Sequence, residues 1–437
     1  MANCWKFAHG HTMRQKTVVH DFVCEPSLTD SRFPKCPFRR GSLAGTVLAM
    51  IFTPSRAAGI AALSAFVPNA GRRYAETRNF DHGPGDRSNV SLLSPYLRYR
   101  LITEAEVVAA VRREHSATAA EKFLQEVLWR TYWKGWLELR PSIWDRYLND
   151  VAALQAQPGD WRAAYSQALS GSTGIDCFDA WVHELAQYGY LHNHARMWFA
   201  SIWIFTLGLP WQLGAELFYR HLYDGDPASN TLSWRWVAGL QTAGKTYLAT
   251  TDNIVRYTDG RFVAAGLATK ATALIEPATP PQDLPAANAV PVGSVGLLLG
   301  EDDLHPESLP LEAATVAAIA SARVVSDRAN PVQAFIGGAL ADARARAADH
   351  FGAPSEELPG VTAPAIREWV LRHNVRTVVT AYTPVGPGRS ALDNMIADLA
   401  VEGIALVPVR RAWDSAAWPE ARRGFFAFRE QAAALIA

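Results

Sequence analysis

Cysteine is scarce: the 437-residue chain has four, at positions 4, 24, 36 and 177. None forms a C-x-x-C pair, which argues against a zinc or iron–sulfur site and favours a reducing compartment. Cys4 with His9 and His11 fits no metal-ligand spacing, so no metal site is expected. Net charge is absent too, since 42 basic residues balance 42 acidic ones. There is therefore no bulk pull toward nucleic acid, and any such surface has to be a local patch. Residues 1–50 carry seven basic and three acidic side chains, residues 51–260 balance, and the remainder is acidic. The C-terminal part is thus a poor place for that patch. No run of roughly 18 apolar residues free of charge occurs, so no membrane span is expected. SLAGTVLAMIF at 42–52 is short and badly placed for a signal peptide. A cytoplasmic monomer is the expectation from these absences.

Length favours two domains. Residues 1–50 lack clear periodicity and are expected to form a poorly ordered N-terminal extension; a docked arm, or a true start near Met50, are the alternatives. From Ser55 a helical pattern begins. SRAAGIAALSAFV has apolar residues at helical spacing behind an N-cap serine, and TEAEVVAAVRREH opens with Thr103 and Glu106 as a capping box. AEKFLQEVLWRTYWKGWLEL, WRAAYSQALSG and IDCFDAWVHELAQYG continue the pattern, whereas Tyr74–Pro95 has a loop composition. Residues 51–275 are predicted to be mostly α. The proline-rich stretch EPATPPQDLPAANAVPV, 276–292, is the expected linker. Beyond it, VGLLLG, ARVVSD, TVVTAY and IALVPV read as strands. They alternate with helical patterns, among them LEAATVAAIASA, NPVQAFIGGALADARARAADHF, APAIREWVLRHN and SALDNMIADLAVEG, which predicts a smaller parallel α/β domain, Rossmann-like, over 293–437. GPGRS at 386–390 reads as a turn and cap, or as a phosphate site at a helix N-terminus.

The stretch from Ala186 to Trp236 concentrates aromatics, carboxylates and arginine. Asn193, Arg196 and Met197 stand at i, i+3 and i+4 and share one helix face. Asp224 and Asp226 flank a glycine, and eleven of the fifteen tryptophans lie between 129 and 236. An aromatic helical core with a satisfied Arg–Asp pair and a bound aromatic cofactor both explain such a pattern. GYLHNHARM, LYDGDPASN and WRW, together with QEVLWR at 125–130 and SLLSPYL at 91–97, resemble the flavin-binding domain of the photolyase/cryptochrome family. That resemblance implies an all-α FAD-binding domain followed here by the α/β domain, the reverse of the family's usual order, which leaves the antenna chromophore undefined.

What the resemblance implies can be placed residue by residue. Tyr74, Ser91, Leu93, Ser94, Arg130 and Tyr190 match cofactor-binding positions, with hydroxyls and a guanidinium suited to a diphosphate. Capping ahead of Pro95 is the alternative role for Ser91 and Ser94. Arg196 and Asp224 match a salt bridge beside the flavin, Asp226 a contact at its polar edge, and Asn230 the position opposite its N5. Glu126, Trp129, Asn193 and Met197 match the pocket for a cyclobutane pyrimidine dimer, where the glutamate bonds the thymine edge and the tryptophan stacks on it. Arg78 matches a phosphate-contacting arginine, with a solvated loop charge as its alternative. Trp234 and Trp211 match the inner and middle members of an electron-transfer chain, and the outer member has no counterpart in register.

Departures from the family pattern include Tyr190 and His194 in place of Trp and Arg, Thr131 after Trp-Arg, and a changed segment beyond Trp236. The expected function is that of an FAD-dependent deoxyribodipyrimidine photolyase, a carbon–carbon lyase acting on UV-damaged DNA. A blue-light photoreceptor without repair activity and a helical nucleic-acid-binding protein are the competing readings.

Overall fold

The computed structural model describes residues 52–156 and 158–436, so the expectation for the first fifty residues lies outside the described part. The first half of that part is helical: α1 (Arg56–Phe66), α2 (Arg72–Thr77), α3 (Ser94–Arg98), α4 (Glu104–Glu114), α5 (Ala117–Glu138) and α6 (Ser142–Ala156). It continues with α7 (Arg162–Ser170), α8 (Asp176–Tyr188), α9 (Asn193–Ser201), α10 (Trp211–His221), α11 (Pro227–Val237) and α12 (Thr251–Tyr257). The caps foreseen from composition are present. The Ser55 side chain accepts from the Ala58 amide, and Thr103 and Glu106 close a capping box on α4. Tyr74 lies in α2 rather than in a loop, and α6 adds a helix to those read from periodicity.

Five parallel strands follow: β1 (Gly293–Leu299), β2 (Ala314–Ser321), β3 (Ser355–Glu357), β4 (Thr377–Ala381) and β5 (Ala405–Val409), in the order β3-β2-β1-β4-β5. They interleave with α13 (Asn330–Phe351), α14 (Ala363–Arg372) and α15 (Pro387–Val401), and α16 (Ala412–Ala417) and α17 (Phe425–Gln431) end the chain. Side chains of β1 alternate as a pleated strand requires. Val295, Leu297 and Leu299 point into a core shared with α13 and with α1, α3, α4 and α5, while Leu298 joins Trp369, Val370 and Leu399 on the opposite face. A methyl at Gly296 would sit 2.6 Å from the Trp369 ring, so glycine is what lets α14 approach the sheet.

One expectation fails for a physical reason. LEAATVAAIASA reads as a helix by alanine content, but its residues 314–321 form β2, and ARVVSD lies beyond the strand end, with Val325 exposed. Small alanines at 318 and 320 suit an interior strand covered by helices, and that tertiary setting overrides helix propensity.

The α/β part packs onto the helices through a shared core and through buried ions. Tyr96 and Tyr99 of the α3 region meet Phe335 of α13, with ring centroids 6.4 and 5.6 Å apart. Arg98 donates to Asp302 at 2.7 Å, just past the end of β1. In a sheet of this order the β1/β4 junction is the topological switch point. Here its loops abut the helical part: a Cβ at Gly386 would lie 2.8 Å from Pro227 at the start of α11, so in GPGRS Gly386 is the closely packed N-cap and Pro387 to Ser390 are the first turn of α15. The 276–292 stretch contains no regular element and is pinned by Arg146 and Arg235 on Glu276 and by the Gln282 amide on the Leu139 carbonyl.

Candidate functional site

A cavity of ≈ 450 Å³ opens between α5, α9, α10 and α11. Two faces read from the sequence oppose each other across it. Glu126, Trp129 and Arg130 come from α5, and Asn193, Arg196 and Met197 from α9. Arg78, Ser94, Asp224, Asn230 and Trp234 complete the set of expected site residues in its wall. Tyr74, Ser91, Leu93, Tyr190, Trp211 and Asp226 lie outside that wall. Leu93 and Tyr74 instead belong to the core, Tyr74 between Phe66 and Phe123. Asn79, Trp133, His194, Phe218, Ser229, Ser233 and Trp236 also line the cavity.

The α9 face is held by its own N-terminus. His192 accepts from the His194 amide, and both imidazoles bond carbonyls of the 78–79 loop, His192 to Arg78 at 3.0 Å and His194 to Asn79 at 2.7 Å. Burial pushes the His192 ring down to about 4, so it is neutral at physiological pH. Arg196 forms a two-pronged pair with Asp224, both distances 3.0 Å, and its Nε bonds the Leu191 carbonyl. The helix then passes into a π turn at Ile202–Thr206, a local widening common at functional sites.

The Asp224–Gly225–Asp226 turn is the most constrained part of the site. A methyl on Gly225 would meet the Tyr219 carbonyl at 2.8 Å and the Arg328 guanidinium at 2.9 Å. Its carbonyl accepts from Arg98 at 3.1 Å and from Arg328 at 2.6 Å. Asp226 caps α11 through the Ser229 amide, with Pro227 at the first helical position. Its carboxylate stands 3.6 Å from Lys134, 3.8 Å from Arg130 and 3.6 Å from Arg98. Burial alone would raise its pKa, but these three cations hold it well below the usual carboxylate range. Burial and the neighbouring guanidiniums push Lys134 down, partly offset by Asp226. Arg98 and Lys134 carry no motif match, although Lys134 follows Arg130 at i+4.

On α5, Glu126 pairs with Arg78. Burial raises the Glu126 pKa, and Arg78 offsets part of the rise. Asn230 donates to the Ala215 carbonyl at 2.7 Å, which fixes which way its amide points. Trp234 meets Phe218 at 5.2 Å and Trp203 at 6.2 Å between ring centroids; Trp203 meets Tyr165 at 5.8 Å, and Tyr165 meets Trp161 at 5.6 Å. Trp211 stacks on Tyr147 at 5.8 Å, next to an outer groove.

Two buried polar atoms of the wall have neither a hydrogen-bond nor an ion-pair partner, Ser229 Oγ and Trp234 Nε1, while Arg130 Nε faces only the Glu104 carboxylate at 3.4 Å. Buried polar groups are ordinarily satisfied. A free hydroxyl and a free indole N–H in an aromatic wall that also carries the Arg130 guanidinium suit a polar heteroaromatic cofactor bearing phosphates. The wall fits such a group.

Residues 123–262 match the family described as the FAD binding domain of DNA photolyase. The chain is 32% identical over 192 residues to the deoxyribodipyrimidine photo-lyase of Agrobacterium fabrum, covering 43% of this chain and 39% of that one. It is 34% identical over 195 residues to a Thermus thermophilus protein of the same name, covering 44% and 45%. The chain thus spans less than half the length of these relatives. A bacterial class III photolyase structure from Agrobacterium tumefaciens matches at 28% identity with a TM-score of 0.41, over 48% of this chain and 44% of that one. The helical part of the chain is thus similar to the FAD-binding domain of the photolyase/cryptochrome family, with the family match lying over residues 123–262. Among the described residues no helix is long and apolar enough to cross a membrane, and no group of acidic, histidine or cysteine side chains has metal-site geometry.

Proposed function

We propose that the protein is an FAD-dependent DNA photolyase that reverses cyclobutane pyrimidine dimers in UV-damaged DNA. The observation that carries this reading is the opposition of two side-chain faces in one cavity, Glu126–Trp129–Arg130 of α5 against Asn193–Arg196–Met197 of α9. The chemistry FAD supplies when bound is light-driven transfer of one electron to the dimer and its return, with no net redox change. The protein's residues bind and orient. Arg130, Ser94 and Ser229 would hold the diphosphate and ribityl groups, and the Arg196–Asp224 pair and Asn230 would flank the flavin ring. Asn230 offers a hydrogen-bonding amide with no readily lost proton. Glu126 accepts a hydrogen bond from the pyrimidine edge, and Trp129 supplies a face on which a flipped-out base stacks. Asn193 and Met197, 3.9 Å apart, form the facing wall. Arg78 exchanges Glu126 for a DNA phosphate as the lesion enters. Trp234 and Trp211 remain the candidates for resupplying electrons to the flavin.

The test is dimer loss from UV-irradiated single- and double-stranded thymine oligonucleotides under blue light with reductant. Wild-type protein should remove dimers in light and not in the dark. Glu126→Ala should slow repair about 10- to 100-fold, the effect of losing one hydrogen bond to a charged group. Photoreduction of the flavin without dimer loss on either substrate would instead support the photoreceptor reading.

A further inference from the structure

The C-terminal segment enters the candidate site through one ring. Phe425, the first residue of α17, lies parallel to Trp129, with ring centroids 3.6 Å apart and planes 7° from each other. One indole face is therefore covered. Trp129 is itself part of the cavity wall and only partly buried. Phe425 is 4% exposed and is fixed from several sides. Tyr132 donates to the Arg423 carbonyl at 2.9 Å, and Arg140 donates to the Arg422 carbonyl at 2.8 Å. Phe428 packs on Tyr132 at 5.4 Å. A Cβ at Gly135 would come within 2.9 Å of the Trp418 backbone, so α5 carries glycine where the C-terminal chain crosses it. The segment WDSAAWPEARRGFFAFRE resembles a stretch of photolyase-like proteins, but its residues alone define no role for it; it lands here.

We infer that Phe425 is a positioning residue for lesion recognition: it backs one face of Trp129 and so presents the opposite face, preorganised, to a stacked pyrimidine dimer. This rests on the reading of the cavity as a dimer pocket. An indole on a surface helix samples several rotamers. Locking it beforehand removes an ordering cost that binding would otherwise bear. The device also makes α17 part of a pocket whose other walls come from residues 78–237, far earlier in the chain.

The test uses full-length flavin-loaded protein and measures dark dissociation constants for an oligonucleotide with one thymine dimer and for its undamaged twin. Phe425→Ala should weaken dimer binding about tenfold, in the range of an aromatic pair, and leave undamaged-DNA affinity unchanged. Phe425→Tyr should restore it, and near-ultraviolet circular dichroism of the stacked pair should vanish in the alanine variant and return with tyrosine. Trp129→Ala should weaken dimer binding at least as much, and Phe425→Ala should add nothing in that background. Additive losses, or a Phe425→Ala protein with full dimer affinity while Trp129→Ala loses it, would overturn the inference. No effect of Trp129→Ala would overturn the dimer-pocket reading itself. If the alanine variant fails to fold, Phe425→Leu, which keeps volume and loses the ring, takes its place with the same expectations.

Discussion

Removing Arg100 should cost more than removing almost any other single side chain, and the reason is countable. Arg100 is 2% exposed and sits in the left-handed region at φ 48°. Its guanidinium reaches Asp414 at 2.7 and 2.6 Å, Asp303 at 3.4 Å and Glu104 at 3.4 Å. Burial would lower its pKa, but these carboxylates hold it well above the usual value. In Arg100→Ala, Asp303 keeps Arg411 at 2.6 and 2.7 Å, and Glu104 keeps Arg130 at 3.4 Å. Asp414, 1% exposed, loses the cation that holds both its oxygens. Stranding a buried charge in this way costs about 3–5 kcal/mol, a large share of the roughly 5–15 kcal/mol that a folded protein has in total. Arg100→Gly should be less damaging than Arg100→Ala by about 1 kcal/mol, because glycine adopts the left-handed conformation without penalty. Asp414→Asn placed on Arg100→Ala should recover most of the loss. Equilibrium urea unfolding measures all three. A loss below about 1 kcal/mol for Arg100→Ala, or no recovery with Asp414→Asn, would refute the claim that this ion cluster ties α4 to the C-terminal segment.

Two further outcomes can be checked. Gly214→Ala would place a Cβ 2.3 Å from the Trp234 ring and 3.0 Å from that of Trp203, so overpacking should destabilise by about 1–3 kcal/mol and shift the tryptophan emission of the bound-flavin form. Glu106, in the α4 capping box, has its pKa lowered to about 2: burial raises it, but Arg56 and the Thr103 amide lower it further. A depressed carboxylate stabilises the fold above its unfolded value of 4.5 and loses that contribution as pH falls through 2. The acid limb of the stability curve should therefore flatten in Glu106→Gln, measured by urea unfolding across that pH range.

Much of the site was readable before the fold because its residues are local. Glu126, Trp129 and Arg130 occupy one face of a helix whose period fixes their neighbours, and the same holds for Asn193, Arg196 and Met197. The turn at 224–226 follows from a glycine between two carboxylates ahead of a proline at the start of α11. What escaped is long-range. The cations around Asp226 come from α3 and α5, and Arg98 meets acids two hundred residues away. Tyr74 and Leu93 match motif positions, but their side chains are committed to the core. Phe425 meets Trp129 through no pattern that spacing alone encodes. The β2 segment misled because alanine content speaks for an isolated helix, whereas its setting between two strands decided the outcome.

The central claim is that the cavity between α5 and α9 holds FAD and couples light to dimer reversal. The most direct measurement is the visible spectrum of the purified protein, followed in the same sample by blue light, reductant and a thymine-dimer oligonucleotide. The account predicts a bound-flavin spectrum and light-dependent disappearance of dimers. A protein that neither carries nor takes up FAD would contradict it.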